Sequence, residues 1–331
     1  MISKTNVIRV DAGDIESVKL KPAAEALRCG GLVAFPTETV YGLGANALDP
    51  HAVKRIFEVK GRMSDNPLIA HIADKEGASD LVEAVSDKAS ELMDVFWPGP
   101  LTLVLRKSPS VPGVLTGGLD SVAVRMPSNL IALSLIRLAG VPVAAPSANL
   151  SSKPSPTCAA HVLEDLSGGI DYLVDGGPTS IGVESTVLDL TADPPALLRP
   201  GGVTAEEIRG VVGEVEVNPK ASSVKSPGLK YRHYSPQARV VLADPQNIQG
   251  EADKYMAKSL RVGVMTTTDR DIEAHVIHRV GGNLDEVARN LYATLRRFDE
   301  DGVNVIIAEK VGEKGLGHAI MNRLKKASQQ K

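Results

Sequence analysis

The sequence predicts an α/β protein of two domains, a larger one around a mixed sheet followed by a smaller α/β unit. Three observations carry that prediction. Short β-branched runs alternate with amphipathic helical patterns over residues 1–212. Some of those runs follow one another with no helix between them, so the sheet is expected to be mixed. Residues 213–237 then form a proline-, serine- and lysine-rich stretch without apolar period, and a second strand–helix alternation occupies residues 238–331. A length of 331 residues fits two domains.

Taken in order, Gly31–Pro36 reads as a buried strand stopped by its proline. Pro50–Val59 has Val53, Ile56 and Phe57 at helical spacing, with Pro50 suited to a first turn. Pro67–Ala73 is a strand, Gly77–Val95 a helix, and Leu101–Arg106 and Val122–Met126 are strands. Asn129–Ala139 is a helix with Asn129 at its cap. Val141–Ala145, Tyr172–Val174, Ser185–Leu190 and Ala196–Leu198 complete the first set of strands. In the second domain, Arg239–Ala243, Arg261–Met265 and Val303–Ala308 are expected strands, and Asn283–Asp299 and Gly315–Ala327 expected helices. A small open parallel sheet follows from that alternation.

With 43% hydrophobic and 23% charged residues the chain can bury a sizeable core, and aromatics at 3% leave that core to Val, Ile, Leu and Ala. The net charge of −3 argues against nonspecific coating of nucleic acid. Residues 1–205 carry 17 basic and 23 acidic side chains, so a polyanion site there must be a local cluster. Cys29 and Cys158 form no Cys-x-x-Cys pair, which excludes a zinc knuckle and fits a reducing compartment. Acidic residues in the first 20 positions and the lack of an 18-residue apolar run predict a cytoplasmic protein with no membrane association.

Four polar clusters carry the candidate chemistry. Pro36–Gly44 puts two threonine hydroxyls, the Glu38 carboxylate and glycines directly after a strand, where open α/β sheets bind ligands. Lys60 and Arg62 follow a helix, with Asn66 and His71 close behind; a point charge beside a planar fork suits phosphates. Two cations at a helix end also simply complement its dipole. Arg125 lies in an apolar strand on the face shared with Ser121 and Ala123, and needs an anionic partner, either a structural carboxylate or a substrate's. The small residues of Ala144–Asn149 let a ligand approach backbone amides, and Ser155, Asp175–Gly177, Gly182–Thr186 and Leu198–Gly202 extend the theme. No phosphate-binding Gly-x-x-x-x-Gly-Lys loop, dinucleotide fingerprint, nucleophile elbow or His-Glu-x-x-His pair is present in the sequence. Any Mg²⁺ is therefore expected on nucleotide phosphates, with no metal held by protein alone.

In this order the strings PTETVYGLGANA (36–47), KGRMSDNPLIAHIAD (60–74), WPGPLTLVL (97–105), GLDSVAVRMP (118–127), PVAAPSAN (142–149), DGGPTSIGVESTV (175–187) and LLRPG (197–201) resemble the YrdC-type threonylcarbamoyl-AMP synthase family. SPGLKYRHYSP (226–236) and GLGHAIMNRLKKA (315–327) resemble the linker and C-terminal domain of its long form. The one departure is Met63-Ser64 after Arg62, where proline is expected. The resemblance implies a YrdC-like domain around a twisted mixed sheet (1–212), a linker (213–237) and a smaller Rossmann-like domain (238–331).

It also implies a reaction. L-threonine is carboxylated by bicarbonate or CO₂, and the carbamate attacks the α-phosphorus of ATP to give threonylcarbamoyl-AMP and pyrophosphate. A TsaD/Kae-type transferase then passes the group to a tRNA adenosine beside the anticodon. By the same resemblance, Lys60 and Arg62 are catalytic and meet the ATP phosphates with Asn66. Ser121, Ser147, Ser155 and Arg199 hold the rest of the nucleotide. Thr39, His71, Arg125, Ala145 and Ser185 hold threonine, with Arg125 on its carboxylate. The linker is expected to act as a lid, with Tyr231 on the nucleotide. The competing expectations are a carbamoyltransferase-related YrdC domain, which two cysteines and no zinc motif disfavour, and an RNA-binding module, which the acidic balance of residues 1–205 disfavours.

Overall fold

The computed structural model describes residues 4–11, 13, 15, 17–217 and 234–329. Tyr231 and most of the expected lid lie outside the described residues. Residues up to Ser151, together with Pro156–Ser180 and Glu184 onward, pack as one compact unit. Ser152–Ser155, Ile181–Val183 and the C-terminal residues pack as a second.

The described residues of the larger unit form eleven strands: β1 (Asn6–Arg9), β2 (Val33–Pro36), β3 (Tyr41–Asn46), β4 (Ile69–His71), β5 (Leu101–Arg106), β6 (Ser121–Arg125), β7 (Val143–Ala144), β8 (Tyr172–Asp175), β9 (Thr186–Asp189), β10 (Ala196–Arg199) and β11 (Glu216–Val217). They form one sheet in the order β1-β8-β2-β3-β7-β4-β6-β5-β9-β10-β11. β4 and β6 are parallel, while β5–β6 and β4–β7 are antiparallel, so the sheet is mixed as the strand–strand neighbours predict. Its helices are α1 (Ser17–Arg28), α2 (Pro50–Lys60), α3 (Asp87–Phe96), α4 (Gly113–Thr116), α5 (Leu130–Ala139), α6 (Ala159–Leu166) and α7 (Ala205–Val212).

The two faces of the central strands differ. Leu103, Leu105, Val122, Val124 and Ala70 point into the main core beneath the sheet. On the opposite face Ile69, Val104, Ala123, Val187, Ala196 and Leu198 make a separate, small apolar floor. Strand alternation puts His71, Thr102, Ser121 and Arg125 on the same face as that floor.

The expected helix over Gly77–Val95 is not continuous. Only α3 and a short 3₁₀ turn at Glu76–Ala78 form. Between them the backbone pairs with the end of β5: Glu83 N donates to Arg106 O, Ser108 N to Leu81 O, and Val82 bridges Lys107. Strand pairing with buried Leu81 and Val82 outcompetes the helical period, and Ser86 restarts the helix by capping Ala89 N. The stretch after β2 is a hairpin in which Tyr41–Asn46 is itself a strand.

The second unit adds β12 (Arg239–Ala243), α8 (Ile248–Met256), β13 (Val262–Thr266), β14 (Val276–Arg279), α9 (Leu284–Glu300), β15 (Val305–Glu309) and α10 (Leu316–Ser328). Its four strands are all parallel in the order β12-β15-β13-β14. This is the small parallel sheet the alternation predicts.

Candidate active site

α2 begins on Asp49, whose carboxylate caps His51 N, and ends where Gly61 takes the left-handed conformation, φ 57°. Lys60, its last residue, is 2% exposed, and its ammonium leaves its own helix to donate to the carbonyls of Ser147 and Asn149. Dipole complementation therefore does not account for it. Burial, with the Arg62 charge second, pushes the Lys60 ammonium well below the usual lysine range, against the opposing pull of Asp165. Two carbonyls use two of the three donors of a charged lysine.

Arg62 donates to the carbonyls of Asn66 (3.3 Å) and Pro67 (3.2 Å), clipping the loop that leads into β4. Asn66 is 2% exposed, and both polar atoms of its amide are buried with no partner. Such orphans are uncommon and mark a place where a polar ligand atom fits.

At the other end of β4, His71 pairs in register with Arg125 of β6. Burial first, and then the neighbouring Arg125 charge, hold the His71 imidazole down at about 3, so it is neutral. Its Nδ1 is buried without a partner. Arg125 is 3% exposed; Nε donates to Gly99 O (3.2 Å), Nη1 to Thr39 Oγ1 (3.1 Å), and Nη2 lies 2.6 Å from Glu38 Oε1. Of the two partners open to Arg125 from sequence, the fold supplies the structural carboxylate, Glu38.

Thr39 sits in the β2–β3 turn, which the Thr37 hydroxyl braces by donating to Val40 O (2.7 Å) and meeting Thr39 Oγ1 at 2.8 Å. Ala145 is buried, donates to Ile69 O (2.9 Å) and closes on Gly42, where an added Cβ would come within 3.2 Å of Ala145 Cβ. Gly42 also bridges Ser147. Tyr41 anchors the hairpin, donating to Gly177 O (2.7 Å). Ser185 is buried against Thr102 Oγ1 (2.8 Å) and accepts from Arg199 Nη2 (3.0 Å), while Arg199 Nε donates to Ser185 O (3.0 Å).

The expected residues thus fall at two ends of adjacent strands. Asn66 and Arg62 stand before β4, and Ser121 opens the parallel strand β6. His71 and Arg125 close those strands, and Thr39 bonds Arg125. The spacing along β6 is about 13 Å, four residues at roughly 3.3 Å each. Ser121 lines a cavity of about 300 Å³ with Arg106, Leu119, Asp120 and Thr191. Arg199, expected on the nucleotide, bonds Ser185, a residue expected on threonine. Ser155 is buried and packs with the second unit. The sequence places Glu38 and Asn149 only within ligand-binding clusters, with no individual role, and gives Thr102 none. The first was legible, because an arginine in an apolar strand demands an anion.

A family model described as "Telomere recombination" (Sua5/YciO/YrdC) matches residues 25–201, and one described as "Threonylcarbamoyl-AMP synthase, C-terminal domain" matches residues 203–329. A threonylcarbamoyl-AMP synthase of Pyrococcus abyssi is 54% identical over 325 residues, covering 95% of each chain. One of Bacillus subtilis is 50% identical over 321 residues, covering 94% of this chain and 93% of its own. Among solved structures, that of P. abyssi Sua5 complexed with L-threonine superposes with a TM-score of 0.94 at 53% identity, covering 98% of each chain.

Proposed function

The chain belongs to the Sua5/YrdC family of two-domain threonylcarbamoyl-AMP synthases, and from that premise we propose that its larger unit joins L-threonine, bicarbonate or CO₂, and ATP. The products are threonylcarbamoyl-AMP and pyrophosphate, made for threonylcarbamoylation of tRNA. The observation that carries this reading is the pair of polar clusters, each holding buried unpartnered atoms, at the two ends of β4 and β6.

Their separation matches two ligands meeting head to tail. At the Asn66 end we assign Lys60, Arg62, Asn66, Ser121 and Ser147 to ATP. A phosphate oxygen arriving at Lys60 would favour its charged form, and charge-assisted bonds there contribute roughly 1.5–3 kcal/mol each. At the other end we assign Thr39, His71, Arg125, Ala145 and Ser185 to threonine. Arg125 retains N–H donors beyond its three contacts for a carboxylate, and Ala145 limits side-chain size. Neutral His71 offers a hydrogen bond without adding charge. Arg199 would link the two ligands through Ser185. Ser155 and Tyr231 stay with the nucleotide by family pattern alone.

Phosphoryl chemistry of this kind rests on positioning and charge neutralisation, so a site without a protein nucleophile suffices. Among the described residues no cluster of three or more His, Cys, Asp or Glu could hold a metal. Mg²⁺ would therefore arrive on the triphosphate. No helix of the described residues is long and apolar enough to cross a membrane. A cytoplasmic setting and hand-over to a TsaD/Kae-type transferase complete the proposal.

Incubation with threonine, bicarbonate and labelled ATP tests it. Pyrophosphate release that requires both threonine and bicarbonate is expected. Release indifferent to threonine, or RNA binding with no release, would overturn it.

A further inference from the structure

The threonine reading leaves one buried charge without a task. Glu38 is 6% exposed, one carboxylate oxygen lies 2.6 Å from Arg125 Nη2, and the other, Oε2, is buried with no hydrogen-bond partner. The turn that carries it is fixed by Thr37 and Thr39, and Ser180 Oγ donates to its backbone carbonyl at 3.4 Å. Resting on the threonine reading, we propose that Glu38 is a catalytic residue that receives the threonine ammonium and takes its proton.

The charges argue for it. A zwitterionic amino acid brings one carboxylate and one ammonium, and the buried Arg125–Glu38 pair offers one cation and one anion. Insertion between them leaves the net charge of the buried site unchanged. As Arg125 turns to the substrate carboxylate, Glu38 exchanges a guanidinium for the ammonium, and its buried Oε2, which has no hydrogen-bond partner, is the acceptor that an ammonium proton meets. The other buried groups that could take a proton are poorer bases. Lys60 donates to two carbonyls, and His71 is neutral with Arg125 beside it.

The threonine ammonium gives one proton to Glu38 Oε2, breaking an N–H bond and forming an O–H bond. The freed lone pair forms the N–C bond to bicarbonate, whose C–OH bond breaks. The departing hydroxide leaves as water with a second amine proton, giving the carbamate. Glu38 returns its proton to solvent.

The test follows threonine- and bicarbonate-dependent pyrophosphate release by the full chain from pH 6.5 to 9.5, for wild type, Glu38→Gln and Glu38→Asp. Glutamine keeps the size but accepts no proton. Its kcat is expected to fall about 100-fold or more at pH 7.5, with ATP affinity within about twofold of wild type. The deficit should shrink by up to about tenfold per pH unit as water deprotonates free threonine, and aspartate should retain more activity than glutamine. A structural role alone would lower the rate equally at every pH, so a constant deficit, or a glutamine rate matching wild type, overturns the proposal. Wild type that ignores threonine overturns the reading of the pocket instead. If Glu38→Gln does not fold, binding to the unmodified protein decides. The analogue 2,3-dihydroxybutanoate, with a hydroxyl in place of the ammonium, should bind about tenfold or more weakly than threonine, and equal affinity would overturn the proposal.

Discussion

Two buried glutamates, one in each unit, are solved differently by the fold. In the smaller unit Glu309, 4% exposed at the end of β15, receives three donors on Oε2: Thr266 Oγ1 (2.9 Å), Thr267 N (2.6 Å) and Thr267 Oγ1 (3.0 Å). In the larger unit Glu38 has one ion-pair partner and an oxygen with none. A satisfied carboxylate rigidifies the strand ends around it. An unsatisfied one is costly to keep, and His71 at the same strand end and Asn66 at the other carry orphaned atoms too. The contrast teaches where this protein is built for itself and where it is built for something that arrives.

Substitutions can break that contrast, and the largest effect is expected at Lys60. Lys60→Ala should cut threonine-dependent pyrophosphate release by about 100-fold while threonine affinity, measured by calorimetry, stays within about twofold, since the charge-assisted bond of its one remaining donor to phosphate, roughly 1.5–3 kcal/mol, disappears. Arg125→Ala should raise the threonine KM by about 10- to 100-fold with little change in ATP affinity. The opposite pattern would move Arg125 off the carboxylate. Glu309→Gln replaces a charged acceptor that has three donors and should lower unfolding free energy by about 2 kcal/mol with unchanged kinetics. A kinetic effect there would show that the smaller unit is not merely self-satisfied.

A further effect is expected in acid. His71 is held at about 3 in the fold against an ordinary value near 6.5, so between those values the unfolded chain binds the extra proton. Its contribution is intact above 6.5 and is lost as pH falls, at no more than about 1.4 kcal/mol per pH unit. Thermal melts from pH 7 to 4 should therefore slope less steeply for His71→Gln than for wild type.

Much of this was legible in the residues. Strand positions, the helix from Pro50 and the Asn129 cap follow from period and capping chemistry, because burial on one face leaves a trace at every second or third residue. α1 does carry the period, with Leu20, Ala23, Ala24 and Leu27 buried on one face, but Pro22 inside it argues against a helix; the edge strands β1, β11 and β14 are too short or too exposed to leave such a trace. The break in the expected Gly77–Val95 helix depends on pairing with Lys107, a partner distant in sequence that period cannot show. The polar clusters were visible as clusters, yet their division between two strand ends is a matter of register. Arg199 shows the limit: its string was evident, but its bond to Ser185 arises only when β9 and β10 pair.

The floor beneath both clusters has a consequence for how the protein would fail on heating. β4 and β6 sit at the centre of the eleven-strand order, flanked on either side by five strands or four. Their amides should be among the slowest in the molecule to exchange with deuterium, because exposing them requires the surrounding ladder to open. Catalytic competence and the integrity of the sheet should therefore vanish together, with no partially frayed form that retains the fold but has lost the pocket.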